Sequence, residues 1–179
     1  MRELEQTLIG DSAAAPPAHI LESLSDELVH ATTAGAPHTI YQELWHMAFW
    51  QRVSLEWIAG IETPAPERAA LGFPTEAQAE AEPWETLRRR FLEEAERAAG
   101  IAGDERQLAE TVRCPSPAGK PTRTMTVREQ LESLAAHNAY HLGRIVLLRQ
   151  LHGAWPRRRA GLRGEGKRPP WPVAIRLIR

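Results

Sequence analysis

Cysteine is nearly absent from this sequence of 179 residues, in which Cys114 is the single example. One cysteine excludes an internal disulfide and a zinc site built from several thiolates. A metal site in this chain would therefore have to use histidine or carboxylate ligands. Cys114 itself lies in a proline-rich segment with no histidine near it in sequence, which disfavours a nucleophilic role.

Long apolar runs are missing as well. No segment approaches the roughly 20 apolar residues that a membrane-spanning helix needs, and the opening residues lack a secretory signal pattern. With 42% hydrophobic and 25% charged residues, the composition is ordinary for a soluble domain. We expect a cytoplasmic protein without a membrane partner.

Several common catalytic patterns are also absent. The sequence contains no glycine-rich phosphate loop, no dinucleotide-binding fingerprint and no Ser/His/Asp order typical of hydrolases. Any catalytic chemistry must therefore come from other residue types.

Charge is unevenly distributed, although the net charge is only −1. Residues 157–179 carry eight Lys or Arg side chains against a single glutamate. We therefore divide the chain into a helical domain, residues 1–156, and a basic C-terminal tail, residues 157–179. A basic tail can bind nucleic acid through phosphate contacts, but only Trp171 supplies an aromatic side chain there, so a nucleic-acid partner is not expected.

The spacing of apolar residues predicts an all-α fold, a four-helix bundle with long crossover connections. The predicted helices cover residues 16–33, 39–60, 83–100 and 126–151. The first two are joined by a short turn, so they should be antiparallel neighbours. The long proline-containing connection between the second and third helices can cross the bundle and leave those two helices parallel. Residues 103–125 are expected to be irregular.

The last helix carries two histidines on its apolar face. Thr126 and Glu129 form a capping-box pattern at its start. His137 and His141 are four residues apart, so their Cβ atoms should lie roughly 5–6 Å apart on one side of the helix. A shared divalent metal would satisfy one nitrogen of each ring, and the alternative is a pair of core histidines bonded to neighbours. Position 138 is Asn, so the HExxH pattern of zinc proteases is absent.

The second helix supplies a third histidine, His46, which lies among large aromatic residues. Taken alone, such a residue is more often a hydrogen-bonded core histidine, but beside the histidine pair it is a candidate third metal ligand. Trp50 is the aromatic residue most expected to form a pocket wall, whereas Trp45 and Trp57 are better interpreted as core. Glu43, one turn before His46, is a candidate general base or a residue that orients a ligand.

Two segments, LWHMAFWQ in the second helix and AAHNAYHLGRIVLLRQLHGAWP in the last, resemble the DinB family of helical bundle proteins, also called YfiT-like metalloenzymes. The resemblance covers residues 16–156. It implies a four-helix bundle that usually forms a dimer, with metal-binding histidines at His46, His137 and His141. It also implies enzymes that use a low-molecular-weight thiol such as bacillithiol or mycothiol.

Three functions follow from these observations. In the first, a divalent metal activates a low-molecular-weight thiol, which is transferred to an electrophilic small molecule or assists its conversion. In the second, metal-activated water hydrolyses a carbonyl compound. In the third, the protein is a non-catalytic homodimer in which the metal only joins helices. Histidine ligands do not distinguish zinc, nickel, iron and manganese.

Overall fold

A computed structural model of the chain describes residues 3–10, 14–117 and 120–155. The predicted basic tail, residues 157–179, lies outside them. The elements in chain order are α1 (Glu3–Ile9), α2 (Pro17–Ile20), α3 (Asp26–His30), α4 (Ile40–Ile58), a 3-10 helix (Ala69–Gly72), α5 (Glu76–Ala81), α6 (Trp84–Ala102), α7 (Glu105–Leu108), β1 (Thr111–Cys114), β2 (Arg123–Thr126) and α8 (Val127–Leu151). The fold is mostly helical, as predicted, and α4, α6 and α8 are its long helices.

Helices α4 and α6 run parallel. The Tyr41 hydroxyl near the start of α4 donates to the Glu82 carbonyl, two residues before α6, at 2.7 Å. Ten residues further along α4, the Gln51 amide donates to the Phe91 carbonyl of α6, also at 2.7 Å. The connection between the two helices therefore crosses the length of the bundle, as its length and prolines suggested.

Helices α4 and α8 are antiparallel. His141, late in α8, contacts Glu43 near the start of α4, and Gln130, early in α8, contacts Ser54 near the end of α4. The antiparallel arrangement sets the middle of one helix beside the middle of the other. Histidines predicted on separate helices can therefore meet.

Hydrogen-bonded caps fix the starts of these two helices. The Thr126 hydroxyl accepts from the Glu129 amide at 3.2 Å, while the Glu129 carboxylate accepts from the Thr126 amide at 2.7 Å. Thr39 and Gln42 form the same reciprocal pair before α4. Such caps satisfy amides that have no partner within the helix, so the helices begin where the sequence predicted.

The predicted first helix, residues 16–33, is wrong. The segment forms two short helices, α2 and α3, separated by Ser23, whose φ is 55°. Ser25 then starts α3, because its hydroxyl accepts the Leu28 amide at 3.2 Å. Serine side chains compete with helical hydrogen bonds in this way, and the apolar spacing of the segment hid the break. The bundle is instead completed by α1, which packs on α6 and α8 and was not predicted.

Two further boundaries differ from the prediction. Helix α6 continues through Gly100 and ends at Ala102, with Gly103 as its C-cap. Residues 103–125 are not irregular, since they contain α7 and most of an antiparallel hairpin in which Thr111 pairs with Thr126 and Cys114 with Arg123. Strands of four residues are too short to show a clear alternating pattern in a sequence.

None of the helices in the described ranges combines the length and apolar character needed to span a bilayer.

Candidate metal centre

His46 of α4 and His137 and His141 of α8 meet inside the bundle. One ring nitrogen from each of the three lies within 4.8 Å of the others. The Nε2 atoms of His46 and His137 are 3.2 Å apart. The structure therefore brings together all three histidines that the sequence singled out.

The His46 ring is held in place by the last residue of the 3-10 helix, Gly72, and by Phe73, which follows it. Its Nδ1 lies 2.9 Å from the Gly72 carbonyl, and because a carbonyl only accepts, Nδ1 carries the proton and donates. The lone pair of His46 is then on Nε2, the atom that faces His137. The Phe73 ring stacks on the imidazole with centroids 4.2 Å apart and planes 9° apart. Together these contacts fix both the position and the tautomer of His46.

A buried carboxylate orients the His141 ring. The Nδ1 atom of His141 lies 2.6 Å from Oε2 of Glu43, whose side chain is fully buried. The other carboxylate oxygen, Oε1, is 2.8 Å from a guanidinium nitrogen of Arg144. With Nδ1 donating to Glu43, the Nε2 atom of His141 is left as the acceptor. Oε1 accepts no hydrogen bond from the described residues and is only within ion-pair distance of Arg144. The short contact of Oε2 with His141 favours the orienting role over the general base.

His137 completes a compact triangle of rings, with centroids 5.1 Å from His46 and 4.5 Å from His141. Burial, together with the neighbouring His141 and His46 rings, lowers its pKa to about 4. Its Nδ1 is 3.4 Å from Oδ1 of Asn138, and the Asn138 amide donates to Gln51 of α4 at 3.1 Å. The sequence did not predict that Asn138 and Gln51 would link His137 to α4 by hydrogen bonds. Their polar side chains on otherwise apolar helix faces could have indicated it.

The donor set fits a divalent metal. Two ligands of a tetrahedral metal are about 3.4 Å apart when each metal–nitrogen bond is about 2.0–2.1 Å, and the His46–His137 separation of 3.2 Å is close to that value. Burial also lowers the pKa of His46, so that His46 and His137 are both neutral at pH 7 and able to bind metal through a lone pair. No carboxylate belongs to the cluster itself.

A pocket of about 210 Å³ opens beside the histidines. Its lining consists of aromatic, apolar and polar side chains from α4, α8 and β2, namely Trp50, Ser54, Trp57, Arg123, Met125, Gln130, Ser133, Leu134 and His137. Trp50 lines the pocket as the sequence predicted. Trp57 is buried in the core, as the sequence indicated, and one side of it also lines the pocket. Its indole NH donates to the Thr63 carbonyl at 2.7 Å.

Cys114 lies apart from the histidines. It is buried on β1, and burial raises the pKa of its thiol, which favours the unreactive protonated form. Its sulfur lies 3.7 Å from Oε1 of Gln130. These observations agree with the expectation that Cys114 is not a nucleophile.

The fold and the histidine cluster define an all-α protein with a buried three-imidazole site that is compatible with metal binding. The sequence profile of the DinB superfamily matches residues 17–145, which is most of the chain. The chain therefore belongs to the DinB superfamily. No match was found among curated proteins.

Proposed function

We propose that this protein is a divalent-metal-dependent enzyme that activates a low-molecular-weight thiol for reaction with an electrophilic small molecule. One observation supports the proposal most directly: His137 belongs to the buried three-histidine cluster and also lines an open pocket. His46, His137 and His141 would hold the metal. A homodimer and a small-molecule substrate, both expected from the family resemblance, belong to the same proposal.

The chemistry depends on the charge of the ligands. A divalent metal held by three neutral imidazoles keeps its full positive charge, which would lower the pKa of a bound thiol or water. Glu43 and the Gly72 carbonyl keep His141 and His46 in the tautomers that present Nε2. Trp50 and Trp57 provide apolar walls beside His137 for the body of a small substrate.

The pocket lining favours thiol chemistry over hydrolysis. A hydrolase of this kind usually has a carboxylate that removes a proton from water. Among the described residues that line the pocket, none is an aspartate or glutamate. Glu43 is fully buried and does not line the pocket, and its Oε2 is held by Nδ1 of His141. A thiol bound as thiolate needs no such base once it has lost its proton.

The pocket also favours an enzyme over a protein in which the metal only joins α4 and α8. A purely structural site is normally closed by its ligands and by packing. Here the His137 side chain is only part-buried and lines an open pocket.

The first test is elemental analysis of protein purified without chelator or affinity-tag metal. About one divalent ion per chain is expected in the parent, with loss in His46→Ala and His137→Ala. His19→Ala is the matched control, because His19 is an exposed histidine paired with Glu22 far from the cluster in sequence. A parent that takes up no metal even after reconstitution would overturn the proposal.

The second test separates the thiol from the hydrolytic reaction. The protein is loaded with cobalt and titrated with small thiols, and a sulfur-to-cobalt charge-transfer band is expected because the thiol binds as thiolate. The absence of that band, together with hydrolysis of ester or amide substrates, would favour the hydrolase.

A further inference from the structure

The pocket is a channel with the histidine cluster at one end. Along α8 it is lined by residues on one helix face, from Gln130 through Leu134 to His137, and along α4 by Trp50 and Trp57. Gln130 and His137 are seven residues apart, which corresponds to a rise of about 10 Å along the helix. A ligand that fills the channel therefore has one end at the histidines and the other near the start of α8.

The hairpin contributes Arg123, an exposed side chain, to the pocket lining. Arg123 pairs directly with Cys114, and residues directly opposite each other on antiparallel strands share a face of the sheet. Cys114 is buried, so Arg123 starts from the same, inner face of the hairpin, and its exposed side chain lines the pocket. Met125, two residues along the same strand, lines it as well.

Arg123 has no partner for its charge within the described part of the chain. No hydrogen bond or ion pair engages its guanidinium there, whereas Arg113 of the same hairpin binds Glu62 at 2.6 Å. The remaining polar groups of the pocket lining are two hydroxyls, an amide, two indole N–H groups and the His137 imidazole, and none of them carries a negative charge. Gln130 is itself held by Ser54, to which its amide donates at 2.8 Å. A free guanidinium in such a setting is suited to a carboxylate, which it can bind through two parallel hydrogen bonds.

The walls between the two ends are mainly apolar, with Ser54 and Ser133 among them. Trp50, Trp57, Met125 and Leu134 line the middle of the channel. The volume of about 210 Å³ is below the range of about 300–1,000 Å³ typical of sites for drug-sized ligands. The channel is thus suited to a small molecule with a short hydrocarbon or aromatic body.

We propose that the pocket binds a small organic acid whose carboxylate pairs with Arg123 and whose reacting end lies at the three histidines. This proposal rests on the proposed function for which group reacts at the histidines. The carboxylate site itself depends only on Arg123. The acid is either the electrophilic substrate or the thiol, since both would carry the same recognition group.

The test compares acids with their uncharged amides. The full-length protein is titrated with 3-phenylpropanoate and 3-phenylpropanamide, and with 3-mercaptopropanoate and 3-mercaptopropanamide, and binding is followed by ligand-observed NMR. Each acid should bind at least about tenfold more tightly than its amide, which corresponds to about 1.4 kcal/mol. The pair that shows the larger preference in zinc-loaded protein identifies which reactant carries the carboxylate.

Two variants assign the preference to one side chain. Arg123→Gln should abolish the difference between acid and amide, and Arg123→Lys should retain part of it because the charge remains. Arg113→Gln is the matched control, since it removes the same charge from the outer face of the same hairpin, and it should leave the preference unchanged. Equal binding of acid and amide by the parent, or an unchanged preference in Arg123→Gln, would overturn the proposal.

Metal-free protein separates this inference from the proposed function. An acid preference that persists after chelation and depends on Arg123 supports the carboxylate site even if the histidines bind no metal. If the preference for the acid is lost when the metal is removed but is unchanged in Arg123→Gln, the metal binds the carboxylate. That result refutes the Arg123 site but not the metal centre.

Discussion

Glu43 and His141 face each other across the antiparallel α4–α8 interface, with Oε2 2.6 Å from Nδ1. Glu43 is fully buried, and Arg144 offsets its charge from the other side at 2.8 Å. A buried carboxylate without such partners would be costly. The pair therefore links the packing of the two helices to the direction in which the His141 lone pair points.

The first prediction concerns the charge of Glu43. Glu43→Gln keeps the size of the side chain and an oxygen that can accept from Nδ1, but it removes the negative charge that strengthens that bond. We expect metal affinity to fall about 10–100-fold, the usual effect of changing a residue that orients a ligand. Competition titration with a chromophoric chelator measures the change.

The control for this variant is Glu132→Gln. Glu132 is an exposed glutamate on α8 outside the histidine cluster, so its replacement should leave the affinity unchanged. Equal metal affinity in Glu43→Gln and the parent would show that Glu43 serves only to bind Arg144.

A second prediction concerns the close approach of Gly72 to His46. A Cβ atom at Gly72 would lie 3.1 Å from Nδ1 of His46 and 3.2 Å from Nε1 of Trp50. Gly72→Ala should displace the carbonyl that holds His46 and weaken metal binding several-fold, less than Glu43→Gln does, because the loop can shift by a few tenths of an ångström. Metal titration of the variant tests this.

Gly143→Ala is the matched change for Gly72→Ala. Gly143 is in the interior of α8 and a Cβ atom there meets nothing within 4 Å. Alanine should therefore stabilise the helix by up to about 1 kcal/mol and leave metal affinity unchanged. A similar loss of affinity in both variants would mean that the contact at Gly72 is unimportant.

Local patterns in the sequence predicted the parts of the site that lie on long helices. Thr126 with Glu129 marked the start of α8, and the spacing of His137 and His141 placed both rings on one face. The contact between His46 and the Gly72 carbonyl was not predictable in this way, because the two residues are 26 apart and joined by an irregular connection. Arg123 was missed for a related reason, since its orientation depends on a register between two strands of four residues.

A third prediction concerns Glu94, a buried residue of α6. Burial raises the pKa of its carboxyl group, an effect that Arg90 and Arg97 partly oppose, and one oxygen has no hydrogen-bond partner among the described residues. Because the folded-state pKa lies above the unfolded value of 4.5, the folded state holds the proton more tightly. Stability should therefore fall as the pH rises from about 4.5 through the folded-state pKa.

Glu94→Gln removes this titration. The variant should be more stable than the parent by about 1 kcal/mol at pH 8, and the difference should shrink towards pH 4, where the parent carboxyl is protonated. Urea unfolding of the metal-free parent and variant across this pH range measures the difference in their free energies of unfolding. Glu93→Gln, at the exposed neighbouring position, should show no such trend. A Glu94→Gln variant that is less stable at every pH would show that the ionised carboxylate is stabilising.

The last prediction links metal binding to the stability of the bundle. His46 lies on α4, and His137 and His141 lie on α8, so a shared metal binds the folded state and has no preformed site in the unfolded chain. At a free metal concentration 100 times the dissociation constant, the folded state gains about 2.7 kcal/mol. For a domain of this size that corresponds to a rise in Tm of roughly 5–10 °C.

Thermal unfolding with and without chelator measures this rise. His141→Ala should abolish the rise in Tm, because the variant lacks one of the three ligands. His19→Ala should retain the rise in full. A metal-dependent rise of the same size in His141→Ala would place the stabilising ion elsewhere in the chain. If the metal raises Tm but the pocket binds no thiol, a metal that only joins α4 to α8 is favoured. Stabilisation requires only the three histidines, whereas the proposed chemistry also requires the pocket.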